Sequence, residues 1–78
     1  MTKNNIRFII SGNIKHLRFG LNLTQEQFSK KCSTNRANIG AIEEGRTSGS
    51  LEVLVKISRS VGITLDELVT VDLTQKKV

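Results

Sequence analysis

Residues 24–45 read TQEQFSKKCSTNRANIGAIEEG, and two helices with a tight break between them are legible there. Thr24 and Gln27 form a capping box. The hydroxyl accepts from the third amide of a new helix, while the Gln side chain reaches back to the cap's own N–H. Leu23 before the box and Phe28 after it occupy the positions of a hydrophobic staple. That spacing predicts a helix from about Gln25 to Cys32. Asn35 then reads as the N-cap of a second helix and Gly45 as its stop. Only Ser33 and Thr34 lie between the two, so the helices must cross steeply, as in a helix-turn-helix.

The second helix of this pair has an unusual surface. Ile39 and Ile42 face inward by periodicity, leaving Ala37, Gly40, Ala41 and Glu44 opposite, with Arg36 at the leading edge. A solvent face ordinarily carries long polar side chains, and a mid-helix Gly costs ~1 kcal/mol relative to Ala. A face this bare lets the helix backbone approach something closely, and the major groove of B-DNA admits one helix. Arg36 stands where recognition helices contact bases, and an arginine pairs with guanine through two hydrogen bonds, while Ala37 and Ala41 suit thymine methyl groups. With Asn38, less clearly outward, and Asn35, partly committed to capping, these are the candidate base-reading residues. The head of the first helix of the pair, with Thr24, Gln25 and the freed amides behind Thr24, suits a phosphate oxygen. Lys15 and Arg46 would add backbone contacts. Glu44 fits such a site only by meeting a cytosine amino group or a neighbouring Arg. The competing reading seats the bare face on another helix of the chain or on a twin subunit, and both stand at this point.

Working outward, Ile6, Ile10, Ile14 and Leu17 share one helical face. They predict a first helix ending near Phe19, with Gly20 as its stop. Gly12 weakens its middle, so its start falls either near Ser11, behind an irregular arm, or further back. Ser50 caps residues 51–61, which Gly62 closes, with Leu51, Leu54, Ile57 and Val61 as the apolar stripe. Thr64 and Glu67 repeat the capping box, with Ile63 and Leu68 as staple, and open a short last helix. The expected architecture is all-α, with five helices around one core. Residues 1–10 are an arm or an extension of helix one, 11–69 the domain, with its helix-turn-helix at about 24–44, and 70–78 a tail that frays from Thr74.

The chain has 78 residues and a net charge of +5, enough for one small domain. Residues 1–36 hold seven Lys/Arg against Glu26 alone, whereas residues 37–78 hold five against six acids. A basic half on a small domain points to a polyanion, nucleic acid first, against the alternative of a solvated charged surface. Cys32 stands alone, which excludes an internal disulfide or a cysteine metal cluster and suits a small core residue. His16 is the only histidine and is expected at the surface. Glu43 and Glu44 are adjacent and point apart on a helix, unlike a paired-carboxylate site. No cofactor, metal or enzymatic activity is expected. Without a signal-peptide pattern or an apolar run of about 18 residues, a cytoplasmic location is expected.

Leu23–Phe28, Asn35–Arg46, Ser50–Ile57 and Val61–Leu68, in this order and spacing, resemble the phage repressor/Cro-type (XRE family) helix-turn-helix domain over about residues 11–68. The resemblance implies a lambda-repressor-like DNA-binding domain of a transcription regulator, usually a repressor, bound as a homodimer to a pseudo-palindromic double-stranded operator. It places base contacts on Asn35, Arg36, Ala37 and Ala41, and phosphate contacts on Thr24, Gln25, Glu44 and Arg46. It also implies an ion pair between Arg18 and Glu43. The Arg-first helix looks like the small controller proteins of restriction-modification systems. The alternative function is a protein-interaction module, such as an antitoxin or a controller-like partner.

Departures from the family pattern are Ser33 for the turn glycine, expected at positive φ, Cys32 and Thr34 for apolar residues, and Gly49 for a proline. Ser29, Ser58 and Ser60 replace small alanines and need hydrogen-bond partners if buried. Modest stability is expected. Ile6, Phe8 and Ile9 at one end, with Val69, Val71 and Leu73 at the other, either form a homodimer interface or complete the monomer core.

Overall fold

In a computed structural model, which describes residues 4–75, the chain folds as α1 (Asn4–Gly20), α2 (Gln25–Lys31), α3 (Arg36–Glu43), α4 (Leu51–Val61) and α5 (Leu65–Thr70). The first three residues of the expected arm and the last three of the expected frayed tail lie outside the described residues. α3 packs on both α1 and α2, while α5 bridges α1 and α4. Phe28, Ile10, Ile14, Ile39, Ile42, Ile57 and Leu68 fill the centre, together with Cys32.

The punctuation has physical form. In the Thr24 box, Gln27 N–H donates to Thr24 Oγ1 at 3.1 Å and Thr24 N–H donates to Gln27 Oε1 at 2.9 Å. Thr64 and Glu67 repeat this at 3.0 and 2.9 Å. Asn35 Oδ1 accepts from Asn38 N–H at 2.8 Å, and Ser50 Oγ from Val53 N–H at 3.2 Å. Each cap satisfies an amide that the first helical turn leaves without a partner. Ser33 takes φ 58°, and Thr34 N–H then closes onto Ser29 C=O at 2.9 Å. A left-handed conformation costs an L-residue roughly 1–2 kcal/mol, so the α2–α3 turn is held by its neighbours rather than by its own preference.

Of the two starts left open for α1 the structure takes the earlier, at Asn4, so residues 4–10 extend the helix rather than form an irregular arm. The cost of Gly12 is offset because Ile10 and Ile14, on either side of it, are buried. α2 ends at Lys31, with Cys32 as its C-cap. The apolar stripes are also shorter than their periodicity suggests. Leu51 is 67% and Ile6 50% exposed, because each stands at the outer end of a helix that reaches past the core.

Every buried side-chain nitrogen and oxygen among the described residues has a hydrogen-bond partner. Ser29 Oγ donates to Glu26 C=O at 2.7 Å, Ser58 Oγ to Val55 C=O at 2.9 Å and Ser60 Oγ to Lys31 C=O at 3.2 Å. Asn13, fully buried, clasps the chain beyond α5. Its Nδ2 donates to Leu68 C=O and Val71 C=O, each at 2.7 Å, and its Oδ1 accepts from Leu73 N–H at 2.8 Å. Gly49, at φ +86°, lets the α3–α4 loop press onto Ile42. A Cβ there would stand 2.8 Å from Ile42 Cδ1, inside van der Waals contact.

Candidate nucleic-acid interface

α3 is fixed from behind by two apolar and one ionic anchor. Ile39 and Ile42 are buried, and Glu43, next to them, is buried as well. Arg18 Nε donates to Glu43 Oε2 at 2.7 Å, and Arg18 Nη2 to Oε1 at 2.9 Å, a two-pronged pair. Gln25 Nε2 adds a third hydrogen bond to Oε1 at 3.0 Å. Arg18 Nη1 reaches Leu23 C=O at 2.9 Å, and its guanidinium lies 4.5 Å from the centroid of the Phe19 ring. The hydrogen bonds to Glu43 hold the Arg18 pKa above its ordinary value, against the opposing effect of burial. Ser11 Oγ donates to Glu43 C=O at 2.7 Å. One residue thus ties α1, α2 and α3 together and sets the angle at which α3 is presented.

The front of α3 is open. Arg36 and Ala37 are exposed at its first turn, beside the capped turn, and Ala41 is half-buried one turn later. Asn35 and Asn38 are exposed, but both side chains have local bonds. Asn35 caps α3, and Asn38 Nδ2 donates to Thr34 Oγ1 at 2.8 Å. Thr24 is exposed at the head of α2, and Lys15 is exposed on α1. Glu44 is exposed and accepts from Arg46 Nε at 2.7 Å.

Gly40 is a correction. It is buried and does not belong to the outward strip, which narrows to Ala37 and Ala41 with Glu44 at its edge. About 100° of helix rotation separates Gly40 from Ile39, which places it on the flank that α2 covers. A Cβ on Gly40 would meet Gln25 Oε1 at 3.6 Å. An alanine fits in ordinary contact, but anything larger blocks the path by which Gln25 reaches Glu43. Its bareness therefore serves the α2–α3 contact. For the same reason the Gln25 carboxamide is turned inward, so that its main-chain N–H, rather than its side chain, is what the head of α2 offers an anion.

Sequence reasoning missed Ser11 and the inward role of Gln25. The spacing of Arg7, Ser11, Lys15 and Arg18 along one face of α1 was the available signal. Cys32 is buried, and desolvation pushes its thiol pKa up, away from a reactive thiolate. His16 is exposed on α1. Among the described residues no helix is long and apolar enough to cross a membrane.

With this geometry in hand, comparisons with known proteins agree. Residues 14–68 match the family described as Helix-turn-helix. The chain is 36% identical over 55 residues to the uncharacterised HTH-type transcriptional regulator MJ0272 of Methanocaldococcus jannaschii, covering 70% of this chain and 83% of that one. It is 38% identical over 66 residues to Control protein C.MunI of a Mycoplasma species, covering 83% and 89%. The crystal structure of the hypothetical transcription factor NHTF from Neisseria superposes with a TM-score of 0.76 at 20% identity, over 88% of this chain and 79% of that one, a likeness of fold. The capped helix pair, the five-helix frame and the match over residues 14–68 agree, and the chain belongs to the helix-turn-helix family of DNA-binding transcription regulators.

Proposed function

We propose that this protein is a repressor that reads a pseudo-palindromic duplex operator as a homodimer, laying α3 in the major groove. The observation that carries this reading is the two-sided character of α3. Ile39, Ile42 and Glu43 lock one side, while Arg36 and Ala37 stand exposed. Arg36 takes part in no salt bridge among the described residues, so its guanidinium is available to a guanine edge. Ala37 and Ala41 keep the helix thin enough to seat deeply and suit thymine methyls. Asn35 and Asn38 contribute to base reading only by exchanging local bonds for bonds to bases, so Arg36 carries most of the selectivity. Thr24, the main-chain N–H of Gln25, Lys15 and Arg46 hold phosphates, and Glu44 orients Arg46. Bound this way over a promoter, the protein blocks access to it.

Arg36→Ala is expected to lose roughly 1–3 kcal/mol per half-site of the cognate operator and to relax preference at one base position in each. Fluorescence anisotropy on a site selected from random duplexes measures both. An unchanged ranking of sequences would assign base reading elsewhere.

The homodimer rests on the ends of the chain, which complete the core only in part. Ile10 and Leu68 are buried, while Ile6 is 50% and Val71 45% exposed. Solvated apolar surface of this kind is removed by pairing with a second copy. Sedimentation equilibrium is expected to give twice the chain mass. A single-chain mass at concentrations that saturate the operator contradicts the homodimer.

A further inference from the structure

On α1, Arg7, Ser11 and Lys15 recur every four residues and share one face with Arg18. Ser11 fastens that face to the end of α3 through its bond to Glu43 C=O. Beside this bond runs a groove lined by Arg7, Phe8, Ser11 and Lys15 from α1, and by Glu43, Glu44 and Gly45 from the end of α3. Its charges do not cancel locally. The Glu43 carboxylate is occupied by Arg18 and Gln25, and that of Glu44 by Arg46. Arg7 and Lys15 are exposed and enter no salt bridge among the described residues, although two acids line the same groove.

From this geometry we infer that the DNA interface continues past the helix-turn-helix onto α1, where Arg7 joins Lys15 in a second row of phosphate contacts. The inference rests on the proposed function and adds Arg7 to it. Two observations select DNA as the occupant. The groove is continuous with the outward face of α3, since Glu44 and Gly45 close that helix and also form the groove wall. Its uncompensated cations also stand about 12 Å apart along α1, by the rise of an α-helix, too far for one phosphate to serve both. A twofold contact between copies centred on this groove would instead bring the same cations face to face.

The test uses the full chain on a duplex selected by the wild-type protein, with affinity measured across a salt series. Each phosphate contact contributes about 0.9 to the slope of log affinity against log salt. In a homodimer each substitution removes one such contact per half-site, so Arg7→Gln and Lys15→Gln are each expected to flatten the slope by about 1.8, and the double variant by about twice as much. The ranking of sequences stays unchanged, and Arg59→Gln, on the exposed side of α4, leaves the slope as it was. Matching thermal melts establish that the variants are folded. If Arg7→Gln keeps the wild-type slope while the wild type still binds its site selectively, the inference falls and the proposed function stands. The same holds if Arg7→Gln keeps the slope but weakens self-association, since the groove is then a contact between subunits. Failure of the wild type to bind duplex DNA removes both.

Discussion

Phe28→Ala is expected to cost about 3–5 kcal/mol, the range for deleting a buried aromatic ring. Phe28 heads the fully buried side chains, and it is the only one of the three phenylalanines in the core, since Phe8 and Phe19 are exposed. Ile and Leu fill the rest of the centre, and five short helices leave little freedom to close a ring-sized hole. A chain of 78 residues has a total stability of roughly 4–12 kcal/mol, so the loss is a large fraction of the whole. Chemical denaturation measures this as a lower midpoint with an unchanged slope. A loss well below 1 kcal/mol would mean that Phe28 is not the centre of the core.

Arg18→Ala is expected to cost a similar amount, about 3–5 kcal/mol, by stranding the buried carboxylate of Glu43. The side chains of Arg18 and Glu43 are only 11% and 4% exposed, so the stranded carboxylate is poorly hydrated. Gln25 supplies one neutral hydrogen bond, too little for a buried charge. The pair itself is worth less than the cost of breaking it, because burying both charges is expensive to begin with. Replacing both residues, as Arg18→Met with Glu43→Leu, is therefore expected to recover much of the stability that the single change loses. A double-mutant cycle measures this, and a double variant as unstable as the sum of its singles would contradict it. DNA affinity need not recover with stability, since the double variant no longer sets the pose of α3 through Glu43.

The sequence carries the fold wherever the controlling interaction is local. Thr24 with Gln27 and Thr64 with Glu67 are three residues apart, and any helix beginning there uses them in the same way. Ser33 at the turn is legible because α3 must start only a few residues after α2 ends. What was not legible depends on which helix covers which flank. Periodicity gives the angle of Gly40 around α3 but not the neighbour at that angle, so its bareness read as outward although it serves Gln25. The Gln25–Glu43 bond spans 18 residues and the Asn13 clasp up to 60, beyond any spacing rule. The Arg18–Glu43 pair, 25 residues apart, was indicated by the family resemblance alone. The stripes on α1 and α4 ran on to Ile6 and Leu51 because periodicity marks a face and not the point where the core ends. The same limit applies to the site. The exposure of Arg36 and Ala37 follows from their places on α3, whereas the inward turn of the Gln25 carboxamide follows from its neighbours.

The most direct test is chemical footprinting with dimethyl sulfate, which methylates guanine N7 in the major groove and adenine N3 in the minor groove. With α3 in the major groove and Arg36 on a guanine, the bound protein shields specific guanine N7 positions, and Arg36→Ala uncovers at least one in each half-site. Shielding confined to adenine N3, or guanine N7 reactivity that is the same with and without the protein on its selected site, would contradict major-groove reading by α3.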